Sequence, residues 1–284
     1  MDSEIDPAVL RFVAAQLRRS NLTGIQAVRH VEERVGRTPL TVACDIAIFD
    51  LLGKQLDQPA RVLFGECVSV PRTAVTIGVT KQEDLIELVA QYREWPILKL
   101  KLRRGQSVTG LEVVRRIYDG EIWVDVNGGW DLETTKASMP ILRGIGVAIL
   151  EQPLPQNRSH ELHELRGGPV QIMVDEDVTG PQSIARLAGV VDVVNVKLAA
   201  CGGLSGASET ILAAQQVGLK AMIGCRSESV ASVTAAATLC HLADFADLDG
   251  HLDVADDPFE GISIDRGHIR LTDRSGIGAA PIHR

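Results

Sequence analysis

The sequence is poor in aromatic residues and has no long apolar run. Phe, Trp and Tyr together make up 4% of its 284 residues, so a hydrophobic core must consist mainly of Leu, Ile, Val and Ala. No apolar stretch reaches the roughly 20 residues that a membrane-spanning helix needs. The first residues, MDSEIDPAV, are acidic and unlike a signal peptide. We therefore expect a cytoplasmic protein with no membrane segment.

Paired cysteine motifs and an excess of positive charge are also absent. The five cysteines, at positions 44, 67, 201, 225 and 240, are odd in number and form no C-x-x-C motif, which is typical of reduced, mostly buried thiols in a cytoplasmic protein. Acidic residues outnumber basic residues by 37 to 29, and the net charge is -8. This balance argues against a surface that binds nucleic acid or an anionic membrane.

Short β-rich runs recur along the chain from residue 73 onwards. Most of the segments between them can hold one helix, as in QEDLIELVAQYRE. Alternating strands and helices are typical of parallel strands joined by helical crossovers. The pattern predicts an α/β fold, a TIM-type (β/α)8 barrel or its (β/α)7β form, with a large open sheet as the alternative. The eight runs lie at 73–77, 97–101, 122–126, 147–151, 171–175, 193–197, 220–224 and 245–249.

The two ends of the chain differ from this repeat. The segment before it is predicted to be helical, and its strongest signal is Thr38 as N-cap followed by Pro39 at the first helical position. Apolar residues then recur at helical spacing through Leu52. Near the C terminus, ISI and IRL flank DRGH, which predicts a β-hairpin.

Acidic side chains end three consecutive predicted strands. Asp125 ends the third strand, Glu151 the fourth and Asp175 the fifth. The carboxyl ends of barrel strands form the active-site face, so these carboxylates would stand side by side. They would repel one another unless a cation lay among them. Hard oxygen ligands without nearby Cys or His suit Mg²⁺ best, with Mn²⁺ as the alternative.

Lysines end the strands on either side of this acidic group. Lys99 and Lys101 share one face of the second strand, and Lys197 ends the sixth. Strands two and six lie opposite each other in a ring of eight. Lys101 and Lys197 could therefore take a proton from one face of a carbon acid and return one to the other, with Lys99 making Lys101 a better base. A K-x-K pair on a solvated edge strand is the alternative.

Together these strand ends resemble the enolase superfamily. KLKLRRG, WVDVNGGWD, ILEQPLP, IMVDEDV and VNVKLAACGG are similar to consecutive motifs of its muconate-lactonising subgroup, and the likeness runs from about residue 39 to the end. The resemblance implies Mg²⁺-dependent removal of the proton α to a carboxylate or amide carbonyl. It also implies residue roles: metal ligands at Asp125, Glu151 and Asp175, an acid/base pair at Lys101 and Lys197 supported by Lys99, and neighbouring polar groups at Asn127 and Glu176.

The last strand indicates which members of the subgroup the chain resembles. FADLDGHL places Asp247 and Asp249 on one face, and this D-x-D is similar to the motif with which dipeptide epimerases hold the α-ammonium of a dipeptide. Arg226, on strand seven, would neutralise an acidic side chain of the substrate or lie at the rim. The resemblance thus implies a racemase or epimerase with a small carboxylate or dipeptide substrate of the Ala-Glu type. A cycloisomerase or an o-succinylbenzoate synthase-type lyase is the alternative.

Members of this family normally begin with an antiparallel sheet that covers the barrel, and the sequence shows no strands to form one. We expect residues 1–67 to be the mainly helical remnant of an α+β capping domain, 68–256 the barrel, and 257–284 a segment that packs toward the capping part. An open mouth admits water, so an inactive barrel lacking its lid is a further alternative. The resemblance also implies a homo-oligomer.

Overall fold

The structure, a computed structural model, describes residues 26, 29–30, 32–33, 36–65, 69–78 and 82–282. Cys67 and the helices expected before residue 26 lie outside these residues. Two of the other cysteines, Cys201 and Cys240, are buried, and Cys44 and Cys225 are partly buried. Among the described residues, no helix has both the length and the apolar character that crossing a membrane requires.

Eight parallel strands form one sheet in chain order, from β1 to β8. The sheet closes on itself where Thr73 pairs with Ala246 and the Ala74 N–H donates to the Ala246 carbonyl oxygen at 3.2 Å. The expected TIM-type barrel is therefore confirmed, and the open-sheet alternative is wrong. The strands are β1 Val75–Gly78, β2 Ile97–Lys101, β3 Glu121–Asp125, β4 Val147–Glu151, β5 Gln171–Val174, β6 Val193–Lys197, β7 Lys220–Gly224 and β8 Phe245–Asp247.

Helices connect the strands around the outside of the barrel. The β4–β5 connection carries a 3-10 helix, Ser159–Glu164, in place of an α-helix. Residues 248–282 contain no helix, so the barrel has the (β/α)7β form. The α-helices are α1 Pro39–Gln55, which precedes the barrel, and then α2 Gln82–Gln91, α3 Glu112–Ile117, α4 Leu132–Ile145, α5 Pro181–Leu187, α6 Leu198–Cys201, α7 Gly203–Gln216 and α8 Val230–Ala237.

Helix α1 begins at Pro39 with Thr38 as its N-cap, as the sequence predicts. The Thr38 side chain accepts from the Thr41 N–H at 3.2 Å, and the Thr41 side chain accepts from the Thr38 N–H at 2.9 Å. This reciprocal capping satisfies N–H groups that the first turn of a helix cannot pair, and Pro39 loses nothing there because it has no N–H. The helix continues past Leu52 and ends at Gln55.

Two polar side chains attach α1 to the barrel. Arg37, just before the helix, donates to the carbonyl oxygens of Thr179 and Ala200, in the segments that follow β5 and β6. Asp45, buried on α1, accepts from the Ser205 N–H at 3.2 Å near the start of α7. An oxygen acceptor at that position satisfies an N–H that the first turn of α7 leaves unpaired. The helix is thus held against the end of the barrel at which β5 and β6 finish.

The C-terminal segment contains the expected hairpin. β10 Ser263–Asp265 pairs antiparallel with β11 His268–Arg270. Between them Arg266 and Gly267 have φ values of 47° and 78°, the left-handed pair that a two-residue turn of this kind requires.

The C-terminal segment also contacts α1. Two short strands, β9 Phe259–Glu260 and β12 Ala280–Pro281, pair with each other. Before β12, the Ile277 N–H donates to Asp50 Oδ1 of α1 at 3.0 Å. The division of the chain into capping part, barrel and C-terminal segment stays a prediction.

Apolar side chains pack in two clusters on opposite sides of the strands. The larger cluster lies between strands and helices and includes Leu98, Leu100 and Val124. A smaller one consists of alternate strand residues that face the other way, into the barrel. Further along the same strands, the next residues that face inward lie at the mouth formed by the carboxyl ends of the strands. The members of this inner cluster are Ala74, Trp123, Ile149, Met173, Val193 and Met222.

Candidate active site

The inward-facing residues change from apolar to polar at the carboxyl end of the barrel. Two residues beyond the inner-cluster residues of β3, β4 and β5 stand Asp125, Glu151 and Asp175. On β6 the same alternation gives Asn195 and then Lys197. These side chains share the mouth because alternate residues of a strand point the same way. The mouth holds a cavity of about 740 Å³.

Lys99 lies at the centre of this polar layer. Its side chain is 4% exposed, and Nζ lies 2.6 Å from Glu151 Oε2, 2.7 Å from Asp247 Oδ2 and 3.4 Å from Asp125 Oδ2. Burial lowers the pKa of Lys99, but the charges of Asp247, Glu151 and Asp125 outweigh it and raise that pKa well above its usual range. Lys99 is therefore a fixed cation. Since β2 lies between β1 and β3, the edge-strand alternative is wrong.

Lys101 and Lys197 face the cavity from opposite sides of the ring, at the ends of β2 and β6. The Lys101 side chain is 49% exposed, and its Nζ lies 3.7 Å from Asp125 Oδ2. Lys197 is largely buried and donates to Asp175 Oδ2 at 2.6 Å. Burial lowers the pKa of Lys197, but Asp175 and Glu151 raise it above its ordinary value. That Lys99 makes Lys101 a better base stays a prediction.

The three strand-end carboxylates lie close enough to influence one another. Asp125 and Glu151 are paired in the register of β3 and β4. Burial raises the pKa of Glu151 to about 8; Lys99 opposes this rise, and Asp125 and Asp175 add to it. Burial also raises the pKa of Asp125, but Lys99 and Lys101 outweigh it and lower that pKa overall. Carboxyl groups are therefore concentrated at the ends of β3, β4 and β5. Crowding and burial suppress the ionisation of Glu151, whereas the nearby ammonium groups favour the charged form of Asp125.

The carboxylates of Asp125, Glu151 and Asp175 are of the chemical type that binds a small divalent cation. Carboxylate oxygens are the ligands that Mg²⁺ prefers, and a cation would relieve their repulsion. As the side chains stand, no three acidic, histidine or cysteine side chains in the described part of the chain surround a common metal position. Glu151 turns instead toward Lys99, and Asp175 toward Lys197. For a cation to bind here, these carboxylates would have to turn from the ammonium groups, and their role as ligands stays a prediction.

The two aspartates of the D-x-D make different contacts. Asp247 Oδ2 accepts from Lys99, whereas its Oδ1 is buried and has no hydrogen-bond partner among the described residues. Asp249 Oδ2 accepts from the Thr76 N–H at 2.6 Å. Burial and then the charge of Asp247 raise the pKa of Asp249 to about 6. The pair thus offers a cationic group an unused carboxylate oxygen beside the cavity.

Three further predicted residues line the same cavity. Arg226 is exposed at the end of β7, and its guanidinium forms no ion pair with any residue that the structure describes. The Asn127 backbone N–H donates to Asp125 Oδ1 at 3.0 Å. Glu176 is exposed, and partial burial of its carboxyl and then the charge of Asp175 raise its pKa. The structure therefore brings together all the residues that the sequence assigns to the site.

Two buried amides at this site were not predicted from the sequence. Asn195 donates through Nδ2 to Glu151 Oε1 at 2.8 Å. Gln152 accepts from the Asp175 N–H through Oε1 at 2.7 Å. The signal for Asn195 is a polar residue in an apolar strand, two positions before Lys197 and so on the same face. Gln152 carries no such signal, because it lies one residue past the inward-facing Glu151.

The barrel and its sequence match known proteins. Residues 83–283 match the Enolase C-terminal domain-like family, and the chain belongs to this family within the enolase superfamily. The predicted resemblance is thereby confirmed.

Its relatives include epimerases of dipeptides. The chain is 32% identical to the L-Ala-D/L-Glu epimerase of Bacteroides thetaiotaomicron over 252 residues, which are 86% of this chain and 65% of that protein. It is 31% identical to the hydrophobic dipeptide epimerase of Roseobacter litoralis, over 95% of this chain and 83% of that protein. A dipeptide epimerase structure from Methylococcus capsulatus, complexed with Mg and L-Arg-D-Lys, superposes with a TM-score of 0.83 at 29% identity, covering 89% of this chain and 76% of that one. The chain thus spans slightly less than two thirds of the length of the Bacteroides protein.

Proposed function

We propose that the protein is a Mg²⁺-dependent isomerase that epimerises dipeptides by moving the proton on the carbon α to the terminal carboxylate. The observation that carries the proposal is the placement of Lys101 and Lys197 on opposite sides of one cavity. The relatives support the substrate class, since they are named as dipeptide epimerases.

Epimerisation needs a proton acceptor on one face of the carbon and a proton donor on the other. A dipeptide that lies across the cavity has its α-carbon between Lys101 and Lys197. One lysine, as the neutral amine, takes the α-proton from its own face; Lys197 can do so only after Asp175 turns from its ammonium, because Asp175 raises the pKa of Lys197. The other lysine, as the ammonium, delivers a proton to the opposite face and so inverts the centre. The two exchange roles in the reverse direction.

The acidic group at the ends of β3, β4 and β5 supports the metal part of the proposal. Asp125, Glu151 and Asp175 would hold the Mg²⁺, which when bound supplies a Lewis acid for the negative charge that develops on the substrate carboxylate. Lys99 adds a fixed positive charge in the same layer, because Glu151 and Asp247 keep it in place.

The charges around the mouth suit a dipeptide. Asp247 and Asp249 would accept its α-ammonium, since Asp247 Oδ1 has no other partner in the described structure. Arg226 would bind an acidic side chain, as in a substrate of the Ala-Glu type. The two aspartates would repel a dicarboxylate at this position, which disfavours the cycloisomerase and o-succinylbenzoate synthase-type alternatives.

Exchange of the α-proton in D₂O tests the proposal. With Mg²⁺ and L-Ala-L-Glu, we expect NMR to show loss of the glutamate α-proton signal and appearance of L-Ala-D-Glu. Lys101→Ala and Lys197→Ala should each abolish epimerisation, because one face of the carbon then lacks its proton carrier. Each variant should still exchange the α-proton of one epimer with solvent. Lys220→Ala is the matched control and should keep full activity, because Lys220 begins β7 at the opposite end of the barrel.

The proposal fails if the protein binds Mg²⁺ and yet exchanges the α-proton of no dipeptide. A calorimetric titration measures whether the protein binds Mg²⁺, and Asp125→Asn should abolish the binding. Epimerisation that survives in both lysine variants would overturn the two-lysine mechanism while leaving the substrate class in place.

A further inference from the structure

Gln152 is a buried polar residue in an unusual backbone conformation beside the site. It directly follows Glu151, and it is 1% exposed. Its φ of 39° lies in the left-handed region, which costs a non-glycine residue about 1–3 kcal/mol and persists only where the surrounding contacts hold it. A buried side chain in such a conformation indicates that its contacts determine the local structure.

The side-chain amide of Gln152 uses all of its hydrogen-bonding capacity. Oε1 accepts from the backbone N–H groups of Asp175, at 2.7 Å, and Glu176, at 3.1 Å. Nε2 donates to the Leu154 carbonyl oxygen at 2.9 Å and to Asp177 Oδ2 at 3.1 Å. A side-chain amide offers two donors and an acceptor oxygen with two lone pairs, so every position is filled.

These bonds begin where the ladder between β4 and β5 stops. That ladder ends with Glu151 paired to Met173, and β5 itself ends at Val174. The Gln152 N–H still donates to the Met173 carbonyl oxygen at 2.8 Å. From Asp175 onward the side chain of Gln152 replaces a strand partner, because it accepts the two backbone N–H groups that no neighbouring strand receives.

We propose that Gln152 is a positioning residue that fixes the backbone of Asp175 and thereby sets the affinity of the mouth for a divalent cation. This inference rests on the proposed function, in which Asp175 is a ligand. The carboxylate carbon of Asp175 is only two bonds from its Cα, so a shift of the backbone moves its oxygens by a similar distance. Residues that orient metal ligands typically change metal affinity about 10- to 100-fold when they are replaced.

Calorimetric titration with Mg²⁺ alone tests the inference in the full chain. Gln152→Met keeps the length and volume of the side chain and removes its hydrogen bonds, and it should weaken Mg²⁺ binding about 10- to 100-fold. In the epimerase assay, saturating Mg²⁺ should restore kcat to this variant, because the defect lies in holding the cation. If Gln152→Met does not fold, Gln152→Asn replaces it, since an amide one methylene shorter cannot reach the same N–H groups.

Ser159→Ala is the matched control. Ser159 is buried and donates to the same Asp177 carboxylate, and in the described part of the chain no hydrogen bond joins it to Asp175. Its loss should lower the free energy of unfolding and leave Mg²⁺ affinity unchanged. Equal Mg²⁺ affinity in wild type and Gln152→Met overturns the inference, and so does an equal loss of affinity in Ser159→Ala. Absence of Mg²⁺ binding in the wild type would instead reject the proposed function on which the inference rests.

Discussion

Replacement of Lys99 by Met should destabilise the protein in a way that depends strongly on pH. Lys99 Nζ lies within 2.7 Å of oxygens of both Glu151 and Asp247, and all three side chains are nearly inaccessible to solvent. Removing one partner of a buried ion pair leaves an uncompensated charge and costs about 3–5 kcal/mol. We expect the free energy of unfolding to fall by this amount at pH 7 without added Mg²⁺. Domains of ordinary stability, about 5–15 kcal/mol, would survive the change.

The pH dependence follows from the carboxyls that Lys99 leaves behind. Lys99 lowers the pKa values of Asp125 and Glu151, so its removal raises both. An acid whose pKa is higher in the folded protein than in the unfolded chain binds more protons when folded, and stability then falls as pH rises. For Asp125 the limiting slope of the difference from wild type is about 1.4 kcal/mol per pH unit. Glu151, whose pKa is already about 8 beside Lys99, adds to the difference only near pH 8 and above. Lys99→Met should therefore lose more stability at pH 8 than at pH 5, relative to wild type.

Urea unfolding at pH 5, 7 and 8, in the presence of a chelator, measures this effect. Lys101→Met is the matched control: its side chain is half exposed and lies 3.7 Å from Asp125 Oδ2, so the loss should stay below about 1 kcal/mol at each pH. The reasoning is refuted if Lys99→Met costs less than the control, or if its cost is the same at pH 5 and pH 8.

Two other predictions concern the same layer. Gly224→Ala should lower the free energy of unfolding by about 1–3 kcal/mol in urea titrations, because the new methyl group would stand 2.2 Å from Asn195 Oδ1 and displace the amide from Glu151. Gly78→Ala is the control: no atom lies within 4 Å of the added carbon, so the free energy of unfolding should change much less. Equal effects of the two substitutions would contradict the steric argument. In the proposed function Asp249 attracts the substrate ammonium, and its carboxyl, with a pKa of about 6, loses its charge as pH falls from 7 to 5. The KM for a dipeptide should therefore rise over this range in steady-state kinetics. A rise of the same size in Asp249→Asn would contradict this assignment.

Residues on one strand could be placed from the sequence alone because the strand period is two. K-x-K predicts that Lys99 and Lys101 share a face, and the carboxylates at the ends of β3, β4 and β5 follow from the same rule. Eight regularly spaced strands also predict a closed ring, in which Lys101 and Lys197 are opposite. Local chemistry was equally readable at the start of α1, where Thr38 and Pro39 lie at the positions that capping requires.

Contacts across the barrel were decided only by the tertiary structure. The sequence predicts that Lys99 makes Lys101 a better base, and this stays a prediction. The contact of the Lys99 ammonium with Asp247, 148 positions away, was not predicted, because it depends on closure of the ring, which brings β8 near β2. The role of Gln152 was also hidden, since its side chain points away from the inward-facing set and reaches backbone groups beyond β5. Periodicity determines which way a side chain points, whereas the partner it meets depends on how distant strands come together in space.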